Sequence, residues 1–111
     1  MPILENAGRA VIPPGKLLDY ILNPNSEKGA HKARVFRAAL GFTRLNHADL
    51  IAALRQGIME NEAVLVREDR HGRHYRVEMT VNGPAGSARV VTGWIYDRGS
   101  DVPRLTTAFV A

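Results

Sequence analysis

Arg73-His74-Tyr75-Arg76-Val77-Glu78-Met79-Thr80-Val81-Asn82 decides the fold, together with Ser87-Ala88-Arg89-Val90-Val91-Thr92-Gly93-Trp94-Ile95-Tyr96-Asp97 after it. In the first run Tyr75, Val77, Met79 and Val81 alternate with His74, Arg76, Glu78 and Thr80. That period of two belongs to a strand with one covered face and one wet face. The second run is apolar on both phases, with Val90, Trp94 and Tyr96 on one and Val91 and Ile95 on the other. It is therefore expected at the centre of a sheet. Gly93 inside it signals a bulge or a close approach by another group. Ala63–Glu68 and Pro103–Val110 complete four strands. Asp69-Arg70-His71-Gly72 and Asn82-Gly83-Pro84-Ala85-Gly86 read as hairpin loops.

Upstream of Glu62 the period changes to that of helices. Residues 1–12 show no period and read as an extended lead-in. Pro13-Pro14-Gly15 opens a short helix through Leu22, and Asn23-Pro24 stops it. A second helix spans about Ala30–Leu40, with Val35, Phe36, Ala39 and Leu40 as its apolar face and Gly41 as its end. Asn46 or His47 opens a third, on Leu50, Ile51, Leu54 and Ile58. Helices followed by a meander of strands predict an α+β fold: two to three N-terminal helices on one face of a four-stranded antiparallel sheet. The 111 residues suit a single domain, 1–111, with a helical part at 13–60 and a β-meander at 62–110.

Fifteen Lys and Arg against eleven Asp and Glu give a net charge of +4, a balance that favours polyanionic partners. The chain has no cysteine, which excludes disulfides and thiolate zinc sites. No apolar run approaches the ~18 residues of a membrane span, and the start MPILENAGRA has no signal-peptide core. No membrane contact is expected, and a cytoplasmic location is.

Positive charge crowds the start of the second helix. Lys28, His31, Lys32 and Arg34 oppose the helix dipole there, each at about 0.3–1 kcal/mol. A bound anion would turn that liability into a site, and phosphate is the leading candidate. Lys32 stands three and four residues before Val35 and Phe36, on the apolar seam. It either snorkels to the rim or lines a cationic pocket between helix and sheet. Thr106 and Thr107 are expected to place one hydroxyl on each face of the last strand. They are either a consequence of β-propensity or part of a pocket wall. Arg104 is either a phosphate clamp or a solvated edge charge. Trp94 is either core or a base-stacking platform. His71 and His74 supply too few ligands for a zinc site, and His47 suits a helix cap. Acidic residues are scattered, without a pair suited to magnesium. No metal ligand set and no cofactor are expected. Metal-free RNA cleavage needs a proton acceptor, a proton donor and cations for the crowded phosphorane. His31, Lys32, an arginine and a threonine hydroxyl form a sufficient kit.

Ala10-Val11-Ile12-Pro13-Pro14-Gly15-Lys16-Leu17, Asp19-Tyr20-Ile21-Leu22-Asn23-Pro24 and Gly29-Ala30-His31-Lys32-Ala33-Arg34-Val35-Phe36 resemble a family of small uncharacterised bacterial domains. The resemblance continues through Gly41-Phe42, Gly93-Trp94-Ile95 and Val102–Val110. Its most specific part is G-x-H-K-A-x-x-F. More distantly the chain is similar to the metal-independent ribonuclease toxins of the barnase, RelE and colicin type, found in toxin–antitoxin pairs and at the C-termini of larger toxins. Those set helices before a four-stranded sheet, with a basic or His residue on a helix and often Thr or Ser in the last strand. This resemblance implies an endoribonuclease acting through the RNA 2′-hydroxyl and neutralised by an antitoxin or immunity protein. His31 would be base or acid, Lys32 and Arg104 would stabilise phosphorane charge, and Thr107 would orient the phosphate. Lys28, Arg34, His74, Arg76, Thr106 and Trp94 would contact RNA. The pattern departs from that type in lacking an evident general-base glutamate. The alternatives are a non-enzymatic nucleic-acid- or protein-binding module, and a small structural or immunity-like protein.

Overall fold

The computed structural model describes residues 2–27 and 30–111. Helix α1 begins at Pro14–Lys16 and continues as a π-type segment over Leu17–Ile21, where Leu22 N–H donates to the Leu17 carbonyl at 2.8 Å. Helix α2 is Ala30–Leu40 and helix α3 is His47–Glu60. Strands β1 (Ala63–Asp69), β2 (Gly72–Gly83), β3 (Gly86–Asp97) and β4 (Arg104–Val110) form one antiparallel sheet in the order β1-β2-β3-β4. The architecture is α+β, with helices preceding the sheet in sequence. Among the described residues no helix is long and apolar enough to cross a membrane.

Each helix contributes one stripe to the core. Leu17 and Ile21 come from α1, Phe36 and Leu40 from α2, and Leu50, Leu54 and Ile58 from α3. The sheet answers with Val77, Met79 and Val81 from β2 and Val90 and Trp94 from β3. Strand β2 therefore buries the face its alternation assigns. A glycine permits α2 to sit close to the β2–β3 hairpin: a Cβ on Gly83 would lie 2.1 Å from the Leu40 carbonyl oxygen. Ala85 N–H donates to that same carbonyl at 3.0 Å, satisfying an orphan acceptor at the helix end. Gly41, with φ of 80°, lets the chain turn out of α2. Before α3, Thr43 and Asn46 exchange side-chain and backbone hydrogen bonds in a capping box.

The lead-in is more than an extended tail. Leu4, Ala7, Ala10 and Ile12 are buried in the core, around a 3-10 turn at Ala7–Arg9. The Pro2 carbonyl accepts from Ala63 N–H beside β1, and Val11 bridges Arg104 of β4 in parallel. Between them the Tyr96 hydroxyl donates to the Glu5 carbonyl, and Arg55 Nη1 donates to the Ala10 carbonyl at 2.7 Å. The segment thus links the two sheet edges and α3.

Burial, reinforced by Tyr75 and Glu5, pushes the Tyr96 phenol up to about 12. A raised pKa means stability that is whole below pH 10, the ordinary value, and is lost as pH rises through the folded-state value. Tyr96→Phe should therefore be about 1 kcal/mol less stable near neutrality, the usual net worth of one hydrogen bond. Urea titrations at rising pH should show that gap closing between pH 10 and about 12. A gap constant with pH would contradict the assignment.

Candidate functional site

The β3–β4 register decides where the threonines go. Gly93 pairs with Thr107, but Trp94 pairs with Leu105, so Thr106 is an extra residue in a bulge. A Cβ on Gly93 would lie 2.9 Å from Thr107 Cγ2 and 3.0 Å from Thr106 Oγ1. Both threonines therefore crowd the same glycine, flanked by buried Leu105 and Ala108. The expectation of one hydroxyl on each face is corrected: the bulge breaks the alternation. Gly93 serves the bulge and the close approach together.

Helix α2 brings Lys32 to this strand. Lys32 Nζ donates to Thr107 Oγ1 at 3.2 Å and sits 5.3 Å from the centroid of the Phe109 ring. Thr107 and Phe109 are two residues apart on β4, so they offer the ammonium a hydroxyl and a π-face side by side. These contacts answer the cost of a half-buried lysine. His31, Lys32, Val35, Phe109 and Val110 line a shallow hollow of about 250 Å³. His31 is exposed at its edge. The hollow thus holds an imidazole and an ammonium, the latter hydrogen-bonded to a strand hydroxyl, against an apolar wall.

Other expected site residues lie elsewhere. Arg104 makes two hydrogen bonds to Asp97, Nε to Oδ2 and Nη2 to Oδ1, both 2.9 Å. The pair holds the Asp97 carboxyl below its usual range and the Arg104 guanidinium above its own. Arg104 is thus engaged by Asp97 rather than free, while its side chain remains 39% exposed at the sheet edge. It does not line the hollow. His74 bonds through Nε2 to Asp69 Oδ2 at 3.0 Å. The His71 backbone N–H, then His74 and Arg67, hold the Asp69 carboxyl far below the usual range. Arg76 is exposed, 3.9 Å from Glu78. Trp94, expected as a contact for RNA, is fully buried and donates from Nε1 to Thr92 Oγ1 at 2.8 Å. Thr92 in turn donates to the Val77 carbonyl. A buried indole with a satisfied N–H offers no face for stacking, so Trp94 is a core residue. Lys28 lies outside the described residues. Among the described residues no group of three or more His, Cys, Asp or Glu is placed to hold a metal ion.

Phe109 and Asp97 were not singled out by sequence. Phe109 was detectable as the i+2 neighbour of Thr107 on one strand face. Asp97 gave no such signal, because its meeting with Arg104 depends on the bulged register.

The fold is similar to that of a solved chain described as a contact-dependent growth inhibition toxin–immunity protein complex from Klebsiella pneumoniae 342. The alignment has a TM-score of 0.68 at 16% identity, covering 92% of this chain and 100% of that one. No curated protein matches the sequence. A family model, described as a domain of unknown function, DUF6883, matches residues 3–111. The chain therefore belongs to the DUF6883 family.

Proposed function

We propose that this domain is a metal-independent endoribonuclease of toxin type, restrained by an immunity or antitoxin protein. The observation that carries the reading is the Lys32–Thr107 hydrogen bond, made across 75 positions of sequence by a lysine that lines a hollow together with His31. The likeness of fold to a chain from a toxin–immunity complex and the net charge of +4 support it. In the reaction the 2′-hydroxyl oxygen bonds to the adjacent phosphorus while the P–O5′ bond breaks. A 2′,3′-cyclic phosphate and a 5′-hydroxyl result. His31 serves one of the two proton transfers: removing the 2′-hydroxyl proton or giving one to O5′. Lys32 neutralises charge growing on the phosphorane oxygens, and Thr107 holds Lys32 and orients the phosphate.

The test is purified protein with a labelled RNA and the matching DNA in EDTA. The RNA should be cut to cyclic-phosphate ends and the DNA left intact. RNA that is bound but uncut would replace this reading with that of a non-enzymatic binding module. That second reading is favoured by the placement of Arg76 and Arg104 away from the hollow, with Arg104 engaged by Asp97.

A further inference from the structure

Helix α2 has a second hollow on its other flank. Arg34 and Arg37 share one side of the helix at a spacing of three, as Lys32 and Val35 share another. A two-residue offset turns by about 200° around the axis, so the pairs face opposite ways. Arg34 and Arg37 border a cavity of about 370 Å³, together with Arg44 from the turn before α3 and with Leu22 and Phe42 on the floor. That volume lies in the range of small-ligand pockets, ~300–1,000 Å³. All three arginines are exposed, and none forms an ion pair among the described residues. Among the described residues Arg67, Arg76 and Arg104 have carboxylate partners and the other arginines do not. What sets Arg34, Arg37 and Arg44 apart is that they border one cavity. Three unpaired guanidiniums over an apolar floor suit a ligand with anionic edges and a flat, weakly polar body. Phosphates take the forked N–H groups, and a base lies against the guanidinium planes and the floor.

We propose that this pocket is a nucleotide subsite, holding the part of a single strand that flanks the phosphate in the Lys32 hollow. Exposed His31 and Arg34, one helical turn apart, carry the strand over the outer surface of α2, a helix about 10–12 Å across. The subsite rests on the ribonuclease reading only for the strand's role as substrate. A nucleic acid is favoured over an acidic protein because the arginines continue the line of cations that begins at the hollow.

The experiment uses a labelled twelve-nucleotide single-stranded DNA, which lacks the 2′-hydroxyl. Its binding is followed by fluorescence anisotropy over a range of salt. Arg37→Ser/Arg44→Ser should weaken binding at least tenfold at low salt and reduce the slope of log K against log salt by about 1.4, two phosphates' worth. Its melting curve should match the parent's. Unchanged affinity and slope would overturn the subsite, and would give the pocket, with Leu45 at its rim 98% exposed, to a protein partner. The two ideas fail separately. RNA left uncut while DNA binding depends on Arg37 and Arg44 overturns the ribonuclease and keeps the subsite. RNA cut by a chain whose binding ignores both arginines does the reverse.

Discussion

Lys32→Met is expected to slow RNA cleavage by about 10²- to 10³-fold, the usual effect of deleting one group that stabilises transition-state charge. Methionine keeps a long apolar stem beside Phe109 and removes only the ammonium, so packing is little disturbed. The melting temperature should stay within a few degrees of the parent's, since the lost hydrogen bond to Thr107 is half-exposed. Single-turnover rates at saturating RNA, beside a thermal melt, separate chemistry from folding. Thr107→Val should reduce the rate less, because it unseats Lys32 without removing its charge. The double variant should then be little slower than Lys32→Met alone, as expected for residues that act through one another. His31→Ala should lower the rate by a comparable factor, about 10²–10⁴ for a general acid or base. Full activity in both Lys32→Met and His31→Ala would place the chemistry elsewhere.

Trp94→Ala has the largest expected effect on the fold. The side chain is fully buried, and truncating a buried aromatic costs about 3–5 kcal/mol. It also deprives Thr92 Oγ1 of the donor it accepts from. Small domains have only about 5–15 kcal/mol in total, so the variant should unfold at much lower urea and be partly unfolded when warm. Trp94→Phe keeps most of the volume, and should retain RNA binding wherever it remains folded. A Trp94→Phe chain as stable as the parent but unable to bind RNA would show that the indole meets nucleic acid after all.

These two residues mark what sequence can and cannot convey. Strand β2 was readable because burial on one face leaves a period of two, and α2 was readable from Ala30 to Leu40 because Gly41 punctuates it. Lys32 and Thr107 could be singled out by type and local position. Their contact could not, because it is set by how α2 lies against β4. The Thr106–Thr107 pair misleads for a related reason: alternation holds only in an unbulged strand, and the extra residue opposite Gly93 is a property of pairing. Arg104 looked free because its partner Asp97 sits on another strand. The lead-in looked featureless because Leu4, Ala7, Ala10 and Ile12 reach the core through extended chain and a 3-10 turn, which share no single period. Trp94 was ambiguous because a buried indole and a stacking indole look alike in sequence.

The most direct measurement of the central claim takes an RNA that the protein cuts at one bond in EDTA and replaces the single ribose 5′ to that bond with 2′-deoxyribose. Removing that hydroxyl removes the nucleophile and leaves the phosphate, the bases and every other contact in place. The account predicts that cleavage at that bond ceases while binding is retained. Continued cleavage there at the original rate would contradict attack by the 2′-hydroxyl and, with it, the mechanism assigned to His31, Lys32 and Thr107.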